Sequence, residues 1–392
     1  MIGGLSTAAV GDSTRRRGAM RVGKKSVVAV VVAVSVAAAV GVAANASDGA
    51  KPPGLQFLGQ AIVPTGTTFA GTTVGGLSSI TYDAGRNVFY SLSDDQGQIN
   101  PARFYTLSVD LFDGSLENGD VLFDGVTTLL APDGQPYAPL SLDPEGLTLA
   151  KSGELVVTSE GIAARGIPPW VRQYALDGTY VGDLPVPDAF QPTSATHGVR
   201  QNLAFEAAAV APNGRHLFVG MEGALVQDGP AATLAGGSAS RILRYNLAPT
   251  RLDAQYVYFT DPVAEAPVPP TAFAVNGLVE LLPFNDQFML SMERSFSVGA
   301  PGTGNTIKLN AVAFPGADDV NGLDSLAGTL GDIRPVEKTL LLDLRTLGIP
   351  LDNVEGMTIG PDLPDGRRSL VLVSDNNFAP TQFTQFLLFA LE

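Results

Sequence analysis

Acidic side chains recur in pairs along the 392-residue sequence: Glu145 with Glu160, Glu206 with Glu222, Glu280 with Glu293, and Glu355 with Asp375. A further pair of acids, Asp94 and Asp95, stands opposite Ser78 and Ser79. Clustered carboxylates repel one another unless a cation holds them charged. Hard divalent ions take oxygen ligands, and Ca2+ accepts several in flexible geometry. Asn202, Asn276, Asn353 and Asn376 lie close to these acids in sequence and could add amide oxygens. Arg200 and Arg294 are the nearest bases, able to grip an oxyanion with two N–H groups. A cation on carboxylates beside an arginine can polarise a small anionic ester and activate water against it. Other chemistries lack material: the chain has no cysteine and only His197 and His216.

The elements that must position these acids are hairpins. Five segments, 76–95, 145–160, 205–222, 277–293 and 355–375, share one form. An apolar strand opens on an acid or its substitute, turns at Gly, Asn or Asp, and returns as an apolar strand ending on an acid. Turns such as Pro212-Asn213-Gly214 and Pro364-Asp365-Gly366 are hairpin chemistry. The strands of a hairpin run in opposite directions, so the start of the first and the end of the second share one end. Each acid pair is therefore expected at one end of its hairpin.

Further strand-like stretches follow the hairpins: 102–111; 170–176 with 180–186; 241–247 with 254–260; and 306–314 with 338–344. After the fifth hairpin only 383–391 remains, and 55–63 from the other terminus supplies the missing strand. The fold expected is an all-β propeller of five four-stranded blades closed by the N- and C-terminal strands. The long interval between Glu293 and Glu355 leaves room for a sixth blade. If the hairpins are innermost, all the acids ring one mouth of the channel. The same acids could instead accept backbone N–H groups of the neighbouring blade and lock the ring.

Residues 20–25 are a basic stretch, 26–43 are apolar and uncharged, and Ala44-Asn45-Ala46 fits a signal-peptidase site. The expected organisation is an export signal over 1–46, with Met20 an alternative start, a short linker over 47–54 and a domain over 55–392. The mature protein is then secreted or held in the cell envelope, an uncleaved anchor being the less favoured outcome. The formal net charge of −15 becomes −20 without residues 1–46, which hold six basic residues and one acid. Such a surface repels nucleic acid and anionic membranes. A monomer is expected.

Short pieces in fixed order carry a family resemblance: Gly75-Gly76-Leu77-Ser78, Asp143-Pro144-Glu145-Gly146, Asn202-x-x-Phe205-Glu206, Met292-Glu293-Arg294, Asp352-Asn353-x-Glu355-Gly356 and Ser374-Asp375-Asn376-Asn377-Phe378. Together they resemble the phytase-like domain family, also described as having the esterase-like activity of phytase. The resemblance implies a propeller-type fold, export in bacteria and phosphoester hydrolysis by those acids. His197-Gly198-x-Arg200 resembles the core of histidine acid phosphatases, but Thr196 and Asn202 replace the Arg and Pro of that pattern and no His-Asp follows.

The leading expectation is a Ca2+-dependent phosphoesterase. Glu145, Glu206, Glu355 and Asp375 are the expected catalytic acids, and Arg294 and Arg200 the substrate clamps. Asp94, Glu145, Glu160, Glu206, Glu222, Glu280, Glu293, Glu355 and Asp375 are the expected metal ligands. The alternatives are a non-catalytic propeller that binds a protein or glycan around a structural cation, and a lactonase-like propeller hydrolase.

Overall fold

The computed structural model describes residues 53–392; the export signal expected over 1–46 lies outside them. The first strand, β1 (Leu55–Val63), is followed by a small ribbon of β2 (Thr68–Phe69) and β3 (Thr72–Thr73). Blade 1 is β4 (Leu77–Asp83), β5 (Val88–Ser93), β6 (Arg103–Val109) and β7 (Val121–Thr128). Blade 2 is β8 (Pro144–Leu149), β9 (Leu155–Ser159), β10 (Trp170–Tyr174) and β11 (Tyr180–Leu184). Blade 3 is β12 (Phe205–Val210), β13 (His216–Met221), β14 (Ala239–Leu247) and β15 (Thr250–Phe259). Blade 4 is β16 (Ala274–Pro283), β17 (Phe288–Ser297), β18 (Asn305–Ala313) and β19 (Glu337–Asp343). Blade 5 is β20 (Asn353–Asp362), β21 (Arg368–Asp375), β22 (Thr384–Leu391) and β1. The protein is a five-bladed β-propeller. Among the described residues no helix is long and apolar enough to cross a membrane.

The innermost strands β4, β8, β12, β16 and β20 meet one another around the axis. Each blade is covered on both faces by its neighbours, so strands such as β21 and β22 are buried almost throughout and read as near-continuous apolar runs. Five apolar cores result, one between each pair of neighbouring blades. Between blades 4 and 5, for example, Val279, Leu290, Met292 and Ile307 pack on Val354, Met357, Leu370 and Leu372.

The ring closes as expected: β1 pairs antiparallel with β22, from Leu55 opposite Leu391 to Val63 opposite Thr384. No sixth blade occupies the interval between Glu293 and Glu355. That length is taken by β18, β19 and a long loop between them, which crosses onto the outer edge of blade 3. There the Val320 N–H donates to the Gln255 carbonyl at 2.9 Å and the Val336 N–H to the Val257 carbonyl at 3.0 Å. Val320 and Leu326 bury against Ala239 and Val257, so the loop covers β15 where an exposed edge would otherwise remain.

Closure through β1 predicts the effect of removing it. A chain beginning at residue 64 exposes the edge of β22 and the inter-blade core beneath it. It is expected to aggregate or to lose its single cooperative thermal transition. A transition within a few degrees of the intact chain would show that closure contributes nothing.

Candidate functional site

Every inner strand carries a β-bulge close to the same mouth of the channel. The register between first and second strands slips at Leu77/Ser79, Pro144/Leu147, Phe205/Ala207, Leu278/Glu280 and Val354/Gly356. A bulge bends its strand and re-aims the extra residue. The residues at the bulges are Ser78, Glu145, Glu206, Val279 and Glu355. The second strands exit the bulged stretch of pairing one residue beyond Ser93, Ser159, Met221, Glu293 and Ser374, the partners of the residues just before each bulge. The residues at that exit are Asp94, Glu160, Glu222, Arg294 and Asp375. Four blades thus give the mouth a carboxylate at the exit position, and three give one at the bulge. Blade 4 gives a valine and an arginine.

This register corrects two of the expected ligands. In blade 4 the bulge residue is Val279, buried in the apolar core against blade 5, so Glu280 falls one step further along. Its Oε1 accepts the Leu281 N–H at 2.8 Å and its Oε2 the Ser79 hydroxyl at 3.3 Å, within the barrel of inner strands. Glu293 likewise falls one step before the exit and turns away from the mouth. Its carboxylate accepts from the Tyr258 hydroxyl and the Asp261 N–H, both at 2.7 Å, and pairs with Lys338. Arg200 is also elsewhere, donating to the carbonyls of Ala224 at 3.2 Å and Gly229 at 2.6 Å. Of the amides, Asn276 serves the Glu293 network and Asn376 caps the Gly76 and Phe378 N–H groups. Asn202 and Asn353 do reach the mouth.

The remaining residues converge. A cavity of about 1050 Å³ at the mouth is lined by Asp94, Glu145, Glu160, Glu206, Glu222, Glu355, Asp375 and Arg294. Asp143, which precedes the bulge of blade 2, joins them. Asp143, Glu145 and Glu160 bring one oxygen each to within 4.8 Å of one another, and so do Glu160, Glu206 and Glu222. Glu160 belongs to both groups and also accepts the Ala204 N–H. On the far side Asn353 Nδ2 donates to Glu355 Oε1 at 2.9 Å and to Asp375 Oδ2 at 3.2 Å. Arg294 Nη2 donates to Glu355 Oε1 at 2.8 Å and lies 3.4 Å from Glu222 Oε1. Two other acids on the wall have local duties: Asp95 pairs with buried Arg103 at 2.8 Å, and Asp352 accepts the Phe383 N–H at 2.6 Å.

Glycine makes this crowding possible. A Cβ on Gly76, whose φ is +63°, would stand 1.9 Å from Asp94 Oδ1. One on Gly277 would stand 2.1 Å from Glu222 Cγ, so the acid of blade 3 lies directly over the backbone of blade 4. Gly146, beside the Glu145 bulge, would meet the Glu206 carbonyl at 2.5 Å.

Several polar atoms in the cavity remain unpartnered. Asp94 Oδ1, Glu222 Oε1 and Arg294 Nε are buried without a hydrogen bond. The electrostatics match. Burial, reinforced by neighbouring acids, pushes Asp94, Glu145, Glu160 and Glu206 well above the usual carboxylate range. Burial likewise raises Asp143 to about 6, Glu222 to about 7 despite the nearby Arg294, and Asp375 to about 8.

Comparison with known proteins agrees with the ordered motifs. Residues 72–378 match the model of the phytase-like family, described as having the esterase-like activity of phytase. The chain belongs to that family. No curated protein matches this phytase-like chain. Among solved structures it is similar to an endo-arabinase from Bacteroides thetaiotaomicron, at 14% identity and a TM-score of 0.39, over 84% of this chain and 96% of that one. A protein of unknown function from Dyadobacter fermentans gives 11% identity and a TM-score of 0.39, over 87% and 100%. The periplasmic gluconolactonase of Pseudomonas aeruginosa gives 12% and 0.32, over 81% and 86%. Likeness this distant carries no argument about function.

The raised acids fix the sign of a pH effect. A carboxyl whose folded pKa lies above its unfolded value of 3.8 or 4.5 adds stability that is complete below that value. The contribution is lost as pH rises through the folded values of about 6, 7 and 8 at Asp143, Glu222 and Asp375. Protein freed of cations by a chelator is therefore expected to melt at progressively lower temperature between about pH 5 and pH 8. A melting temperature that holds level or climbs over that range would contradict the crowded-acid account.

Proposed function

We propose that this phytase-like propeller is an exported, Ca2+-dependent hydrolase of small anionic phosphoesters. The observation that carries this reading is the pair of carboxylate triads sharing Glu160, together with the buried, unpartnered Glu222 Oε1 and Asp94 Oδ1. Those atoms are buried oxygen donors without a hydrogen bond, and the cluster contains no nitrogen or sulfur ligand. That donor set fits a hard cation such as Ca2+. Asp143, Glu145, Glu160, Glu206 and Glu222 are the residues that would hold it. Bound there, Ca2+ would supply positive charge to a phosphoryl oxygen and acidify a water.

The chain's own groups supply the rest. Arg294 is fixed by Glu355 through Nη2 and keeps its Nε–H free to donate to a substrate oxygen. Asp375, held by the Asn353 amide and by the Asn377 N–H at 2.6 Å, retains its proton near neutral pH. In this reading it passes that proton to a leaving oxygen as general acid. Glu355 holds the arginine and Glu206 the cation, so both act by position. Export is part of the proposal and rests on the sequence of residues 20–46.

Phosphate release from aryl monoesters and diesters, measured with added Ca2+ and again with chelator, tests the reading. Activity is expected with Ca2+ and abolished by the chelator. Asp375→Asn is expected to lower kcat by on the order of 10²–10⁴-fold with Ca2+ binding retained. Glu206→Gln is expected to weaken Ca2+ binding measured by calorimetry. Tight Ca2+ binding and a raised melting temperature without turnover of any ester would leave a binding propeller in place of an enzyme.

A further inference from the structure

Blade 4 breaks the pattern of the ring, and its departures are grouped. Alone among the blades it puts no carboxylate into the cavity. In its place it offers Phe273, Val275, Arg294, Phe296 and Asn305. Val275 pairs with Phe296 and Phe296 with Asn305, so these three form one row across β16, β17 and β18. Arg294 lies two residues before Phe296 and shares its face of the strand. Phe273 is 64% exposed at the lip, its ring centroid 6.3 Å from that of Phe296. Asn305 is 8% exposed; its Nδ2 donates to the Thr303 hydroxyl at 3.3 Å, while its Oδ1 is buried and has no partner.

An unused N–H, an unused amide oxygen and two phenyl rings thus stand together on one wall. Among the described residues Arg294 is the only basic side chain lining the cavity, against the carboxylates of all the other blades. One guanidinium answers one anionic group. A ligand bearing several phosphates needs several such partners and would meet carboxylates in their place.

We infer that the blade 4 wall selects a singly phosphorylated ester whose organic part is apolar and flat and carries a hydrogen-bond donor. The phosphoryl group sits at Arg294 Nε, the flat group lies on Phe296 and Phe273, and the donor reaches Asn305 Oδ1. Highly phosphorylated polyols are disfavoured. This inference rests on the hydrolase reading for its substrate, but its recognition step stands apart from turnover.

The test therefore has a binding arm and a kinetic arm. With Ca2+ present, benzylphosphonate is expected to bind the intact protein about 10-fold tighter than methylphosphonate by calorimetry, the order an apolar pocket contact gives. Phe273→Ser is exposed enough to spare the fold and should erase that preference while leaving methylphosphonate binding unchanged. In kinetics, kcat/KM for an aryl phosphate should exceed that for inositol hexakisphosphate, and Phe273→Ser should raise KM for the aryl ester alone. Equal binding of the two phosphonates, or a variant that weakens both alike, overturns the inference. Turnover of the polyphosphate as fast as the aryl ester also overturns it. If no ester is hydrolysed but the phosphonate preference holds, the hydrolase reading fails and the recognition wall survives.

Discussion

Mutual repulsion among carboxylates in a half-enclosed mouth is the constraint on which this structure turns. At an effective dielectric near 20, two like charges about 5 Å apart oppose each other by roughly 3 kcal/mol. Besides Asp95 and Asp352 the cavity gathers eight acids, and among the described residues Arg294 is the one basic side chain on its wall to set against them. A stack of blades free to splay would relax by opening that mouth. The β1–β22 pairing forbids it, because splaying would have to break a fully paired sheet and five apolar cores together. The ring therefore holds the acids at close range. Their charge is left to be settled by protons or by a bound ion.

Bringing the acids to one rim takes two devices that differ from ordinary strand geometry. The bulge turns Glu145, Glu206 and Glu355 out of the alternation that would otherwise aim them between blades. Glycine at 76, 146 and 277 then lets a neighbouring acid or backbone pass where a methyl group could not. At 76 the acid given room is Asp94 of the same hairpin, whereas at 146 and 277 the residue given room, Glu206 or Glu222, belongs to the neighbouring blade. Glu206 and Glu222 are thus positioned by their own hairpin and by an adjacent one.

Much of this was legible in the sequence, because hairpin turns and doubly buried strands leave strong marks. The inner strand pairs, the terminal closure and the convergence of acids from different blades all follow from those marks. Outer strands speak more faintly. β7 (VLFDGVTT) is exposed along one face and interrupted by Asp124-Gly125, so no apolar run announces it. The loop after β18 had the length of a blade but lies across blade 3. Glu280 and Glu293 misled for a sharper reason. Met292-Glu293 resembles Met221-Glu222 in spelling, yet the bulge registers place Glu293 level with Met221 and Arg294 level with Glu222. Where the extra residue sits is a property of backbone pairing, which residue types alone do not encode. Asp143 was visible in the Asp-Pro-Glu-Gly motif but carried no repeat partner. Phe296 and Asn305 share a wall only through strand register.

Repetition explains the ring, and its interruption explains how the ring acquires direction. Five equivalent blades would make a mouth of nearly uniform potential, able to hold cations but unable to orient an asymmetric ligand. At the exit position blade 4 exchanges a carboxylate for Arg294, and the planar guanidinium is used on two sides. One amino group is spent on Glu355 of the next blade, which fixes the plane, while Nε–H remains free on another edge. A lysine would neutralise the same charge as a single mobile point and leave no oriented donor behind. The side chain that eases repulsion among the acids is thereby also the one that fixes where a ligand anion would enter.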